Sequence, residues 1–149
     1  MTTINGLPAH VLLVHLVVVL LPLTAAFAVL GSMWPAAQRK LTFLTPVGAL
    51  GGLIIVPLTT SAGQFFAAQL PVNPRIEYHI SLGQQVIYWA AALFVVTAAQ
   101  WAYFQFARPK RWITVVLAVL TVGVAVGTTI QVVLTGDSGA QAVWQGVIR

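Results

Sequence analysis

The sequence predicts an all-α integral membrane protein, a four-helix bundle with both termini on the outer side. Three observations carry that prediction. Of 149 residues, 59% are hydrophobic and only 6% charged, with a mean hydropathy of +0.93, so there is too little polar surface to clothe a water-soluble globule. Four apolar runs, at about residues 11–34, 41–66, 82–106 and 112–134, each suffice to cross a hydrocarbon core, which takes about 20 residues. Basic residues collect in the first and third gaps, Arg39 with Lys40 and Arg108 with Lys110 and Arg111. The positive-inside rule assigns those gaps to the cytoplasm. The whole chain, 1–149, then reads as one four-span domain.

The first run has no Lys or Arg ahead of it to act as the positive region of a cleaved signal, so it reads as a retained helix. Pro8 suits its start, and Pro22 within it predicts a kink. The second run predicts another kink at Pro57, followed by the polar group Thr59, Thr60, Ser61 and Gln64. Gly48 with Gly52, and Gly123 with Gly127 in the fourth run, have the GxxxG spacing that lets helix backbones approach, which suggests contact between the second and fourth spans. The segment LPVNPRIEYH (70–79) reads as a polar connector. The third run ends in WAYFQFARPKR, aromatics against cations, so Trp34, Trp101, Tyr103 and Trp112 fall in one interfacial belt. No internal repeat, soluble domain or low-complexity tail is read in the sequence.

The formal charge of +5 sets seven Lys and Arg against Glu77 and Asp137. The cations sit in short loops and not on a broad face, which argues against a nucleic-acid partner. The expected partners are membrane lipid and, as alternatives, another membrane protein or a second copy of the chain. With no cysteine, disulfides, thiolate metal sites and thiol nucleophiles are excluded.

Counting about 1.5 Å per residue from the cytoplasmic helix ends places His15, Thr60 and Gln131 at a common depth of roughly 28 Å. Gln64 and Gln84 come slightly further out, and His10, Asp137 and His79 reach the outer headgroups. The inner half is read as almost purely Val, Leu, Ala, Phe and Gly, so the polar side chains imply an outward-facing pocket lined by Thr60, Gln64, Gln84 and Gln131. Thr121, Thr128, Gln131 and Thr135 draw one polar stripe down the fourth span, and Ser81, Gln84 or Gln85, and Tyr88 draw another down the third. Both are expected to face inward, because lipid offers an amide no partner. The bland alternative is that Thr, Ser and Gln only hydrogen-bond between helices.

Histidine in a lipid-facing segment is costly, so His10, His15 and His79 are the candidate cofactor ligands. His10 and His15 are five residues apart, about 140° around a helix, so they cannot share one ligand atom. A transition-metal site from His10, His79 and Asp137 is one possibility. Haem b held between two histidines on different helices is another, with His10 and His79 the pair better matched in depth and Gly83 and Ala9 giving room. Neither GxSxG nor HExxH occurs, and no acidic residue lies mid-span, so enzymatic hydrolysis and proton conduction find little support.

Asn5, Pro8, His10, His15 and Pro22, with the closing TGDSGAQAVW from Thr135 to Trp144, resemble the bacterial family of predicted membrane proteins catalogued as domain of unknown function 2231. The resemblance covers essentially the whole chain. It implies a four-helix protein of the bacterial cytoplasmic membrane and no established activity. Such proteins often resemble TGHSGA at the closing motif, where this chain has Asp137, and a carboxylate cannot replace imidazole as a usual b-haem ligand. The expected function is a cofactor-binding or redox-associated membrane protein, with haem b the leading ligand. The alternatives are an accessory or scaffold subunit without a ligand, or a metal-binding or transport component.

Overall fold

The computed structural model describes residues 3–4, 7–41 and 43–144. Two two-residue strands, β1 (Thr3–Ile4) and β2 (Leu7–Pro8), pair antiparallel with Ile4 opposite Leu7. Asn5 lies outside the described residues. Among the described residues five helices follow: α1 (Ala9–Met33), α2 (Pro35–Leu41), α3 (Leu44–Ala67), α4 (Pro74–Phe106) and α5 (Arg111–Trp144). All but α2 are long and apolar enough to cross a membrane.

Between 17% and 33% of the apolar window of each span is buried inside the bundle, so most of its hydrophobic surface faces outward. Exposed Val19, Ile54, Val95 and Val119 are typical. Such a surface is stable only in lipid.

Two helix boundaries depart from expectation. α4 begins at Pro74 and not near residue 82, because Asn73 caps it: its backbone is extended and its side chain accepts the Arg75 N–H at 3.0 Å. Pro74 fills the first position, where no donor is lost, and Glu77 in the first turn suits the positive helix end. The expected polar connector is therefore half helical, and His79 rides on α4. α5 continues ten residues past the expected end at 134, through the closing motif to Trp144. The first loop also contains structure: α2 opens on Pro35, and Gln38 N–H still bonds the Trp34 carbonyl at 2.9 Å. Pro22 and Pro57 lie within α1 and α3.

α1 packs on α3 and α5, and α4 packs on the same two helices, so α1 faces α4 across a diagonal. The glycines expected to join the second and fourth spans serve other neighbours. Gly48 and Gly52 of α3 receive Thr24 and Leu21 of α1, Gly127 of α5 receives Trp89 of α4, and Gly123 meets nothing within 4 Å.

The core is polar at both ends, contrary to the expected apolar inner half. Thr24, Thr45, Thr97, Gln100 and Thr121 are buried towards the end that carries α2. There Gln100 Nε2 donates to Ser32 Oγ at 2.7 Å, joining α4 to α1.

An internal repeat, unread in the sequence, organises the bundle. From His10, positions seven, eleven, fourteen and eighteen residues on are buried: Val17, Leu21, Thr24 and Ala28. From His79 the same steps give Val86, Ala90, Leu93 and Thr97, also buried. Counting back three, seven, ten and fourteen from Thr59 gives Val56, Gly52, Ala49 and Thr45, and from Thr135 it gives Val132, Thr128, Ala125 and Thr121, all buried. The hairpin α1–α3 is thus repeated by α4–α5. Side-chain sizes are exchanged between the copies, Leu21 over Gly52 in one and Ala90 with Thr128 at the same steps in the other, which hides the repeat from sequence comparison.

Candidate functional site

His10 and His79, at equivalent places in the two hairpins, meet across the α1–α4 diagonal. Their ring centroids are 6.5 Å apart with planes at 75°. Each is fixed in the same way by its own hairpin. His10 Nδ1 lies 3.0 Å from the Thr59 carbonyl of α3, and His79 Nδ1 lies 3.0 Å from the Thr135 carbonyl of α5. A carbonyl only accepts, so Nδ1 is the donor in both rings, and in a neutral imidazole so oriented Nε2 is the nitrogen that carries the lone pair.

Both rings lie against a glycine one turn beyond the bonded carbonyl. A Cβ at Gly63 would stand 2.7 Å from His10 Cε1, and one at Gly139 would stand 3.0 Å from His79 Cε1. The residue three places beyond the bonded carbonyl differs between the two copies. Ser138 donates to the Thr135 carbonyl at 2.8 Å and accepts from His79 Nδ1 at 3.0 Å, whereas the corresponding residue beside His10 is Ala62.

Beneath the pair, Gln131 is buried and donates from Nε2 to the Leu82 carbonyl at 3.0 Å, which ties α5 to α4. Half-buried Thr60 bonds the Val56 and Pro57 carbonyls of its own helix. Gly83 faces both Thr60 and Thr135, and a Cβ there would be in ordinary contact at 3.9–4.0 Å.

The remaining expected site residues point elsewhere. His15 is exposed, its Nδ1 bonded at 2.6 Å to the Val11 carbonyl of its own helix. The 140° separating it from His10 turns it away from the bundle. Gln84, with Ser81, Gln85 and Tyr88, is exposed, so the expected inward stripe of α4 faces out; Tyr88 is 74% exposed. These residues lie on the part of α4 nearest its start, where an outward polar side chain reaches the interface and needs no internal partner. On α5 the stripe does turn inward, with Thr121, Thr128 and Gln131 all buried. Gln64 lines an open groove of about 310 Å³ with Asn73, Glu77 and Ile80. Asp137 is exposed and accepts from Gln141 at 2.7 Å, so His10, His79 and Asp137 do not assemble. Among the described residues no three His, Asp or Glu side chains gather to hold an ion.

The sequence reading missed the carbonyls and glycines that seat the rings. Their signal is Thr-x-x-x-Gly, which occurs as TTSAG at 59–63 and TGDSG at 135–139. No curated protein and no solved structure matches the chain. The family model described as predicted membrane protein, DUF2231, matches residues 6–149, and the chain belongs to that family.

Proposed function

We propose that the protein holds a redox-active iron porphyrin, haem b, between His10 and His79 in the outer part of a bacterial cytoplasmic membrane. The carrying observation is the facing pair of imidazoles, each oriented through Nδ1–H by a backbone carbonyl and each left with Nε2 to ligate. Orientation of this kind is the usual support for a metal-bound histidine. The 6.5 Å between the ring centroids is a spacing at which the two imidazoles could hold one metal atom between them. Charge favours porphyrin over a bare divalent cation, because no carboxylate flanks the pair and an uncompensated charge at a lipid interface is costly. A porphyrin brings two negative charges of its own. Bound there, the group would supply one-electron transfer. The chain's share is to fix both rings through Thr59, Thr135 and Ser138, and to shield the site with Gln131 and Thr60 below.

The test is an absorption spectrum with metal analysis on detergent-purified protein, before and after reconstitution with haemin. A Soret band that is lost in His10→Ala and His79→Ala but kept in His15→Ala is expected. No band under either condition sinks the proposal. A second reading, a ligand-free scaffold subunit, rests on the same bonds, since His10 ties α1 to α3 and His79 ties α4 to α5. It predicts that both substitutions lower stability with no change in any bound metal. A metal-binding or transport component predicts copper, zinc or iron without a Soret band.

Orientation follows from the basic loops, with both termini outside. Single cysteines placed at Ala36 and Val72 of this cysteine-free chain should react from opposite sides, Val72 from outside.

A further inference from the structure

The end of the bundle opposite the histidines carries the larger part of the molecule's charge. Arg39 and Lys40 close α2, and Arg108, Lys110 and Arg111 form the turn from α4 to α5; all five are exposed. Both acidic residues, Glu77 and Asp137, lie at the other end, and no carboxylate among the described residues pairs with any of the five.

Ring packing joins the segment just after α2 to the closing turns of α4. Phe43, just after α2, packs edge-on against Trp101 of α4 at 6.4 Å, and Trp101 packs on Phe106 at 5.7 Å. Tyr103 then pins the second basic turn: Lys110 N–H donates to its hydroxyl at 2.6 Å, and the hydroxyl donates to the Lys110 carbonyl at 3.3 Å. Around this corner Trp34, Phe43, Phe106 and Trp112 are each more than half exposed, an aromatic belt at headgroup depth.

We propose that this corner binds anionic phospholipid headgroups, with preference for lipids carrying phosphate and no compensating amine. Three observations select that partner. No carboxylate among the described residues pairs with the five cations; three of them are Arg, whose planar fork bonds phosphate oxygens in pairs; and the flanking aromatics are placed to pack on the glycerol and first methylenes of the same lipids. α2 supplies two of the cations and packs chiefly on α1. Topology needs only that the charges be present, whereas this binding needs them gathered on one corner.

The test uses full-length protein purified in mild detergent and exchanged against an equimolar mixture of phosphatidylglycerol and phosphatidylcholine, with retained lipid counted by native mass spectrometry. Retention should favour phosphatidylglycerol, and each cation neutralised in R39Q/K40Q or R108Q/K110Q should reduce that preference by roughly fivefold. Raising the ionic strength from 0.05 to about 0.5 M should erode the preference of the unaltered protein, since the Debye length falls well below 10 Å. That arm stands even if a variant fails to insert. Equal retention of the two lipids, or a preference indifferent to salt, overturns the proposal.

Discussion

At the residue scale the site depends on two places where a side chain is missing. Gly63→Ala would put a methyl 2.7 Å from His10 Cε1, so that ring must shift against its carbonyl, and Gly139→Ala would put one 3.0 Å from His79 Cε1, so that ring must give by a few tenths of an ångström. Each is expected to lower stability by about 1–3 kcal/mol, the usual range for overpacking, measured as a shift in detergent unfolding. Gly136→Ala is the control, because nothing lies within 4 Å of it. Thr121 gives the opposite sign. Its hydroxyl is fully buried with no hydrogen-bond partner, so Thr121→Val should stabilise by about 1 kcal/mol, the lower part of the cost of a buried unsatisfied group. A destabilised Thr121→Val would mean that a water satisfies that hydroxyl. The histidines themselves were legible, because an ionisable group in an apolar run stands out against its neighbours. Their partners were not, the carbonyls being 49 and 56 residues away along the chain and the glycines one turn further still. The angular spacing separated His10 from His15 but could not say which of them turned inward.

At the element scale, span length and helix length are different quantities, and hydropathy reports only the first. α4 has 33 residues, about 50 Å at 1.5 Å per residue, against a hydrocarbon core of about 30 Å. Its excess lies beyond the lipid, where polarity says nothing against a helix and the cap decides. Asn73→Ala should cost about 1 kcal/mol of stability and fray the first turn that sets up His79. Hydrogen exchange at Ile76 and Glu77, whose N–H groups bond the Asn73 carbonyl, would show it first. Unchanged exchange there would place the start of α4 under the control of packing and not of the cap. The same limit explains α5, which runs through TGDSGAQAVW: glycines at 136 and 139 weaken helix propensity, but one of them is where the His79 ring packs. The outward stripe of α4 was misassigned for a related reason. Gln84 or Gln85 was expected to face inward because lipid offers an amide no partner, whereas an exposed amide near the headgroups can reach water.

At the scale of the whole molecule the fold class and span count were legible from composition and loop charge, while the repeat was not, because beyond the histidine, threonine and glycine common to both halves it lives in which positions are buried and not in which residues fill them. Each hairpin contains one inward-facing histidine, the threonine carbonyl that orients it and the glycine that receives it, so the two halves are complete apart from the faces they turn to each other. Those faces are α3 on α4 and α1 on α5. In a membrane, helices insert as independent units before they associate, so continuity of the chain through the exposed α3–α4 connector is dispensable for assembly. Fragments 1–70 and 71–149, co-expressed, should therefore co-purify as a one-to-one complex with the stability of the uncut chain reduced only by the lost tether. The two rings meet at the junction between halves, so His10→Ala in one fragment should weaken the complex more than His15→Ala, whose ring is bonded within its own helix. Fragments that insert but do not co-purify would show that the halves are joined by the connector and not by their faces, and the histidine pair would then owe its approach to chain continuity alone.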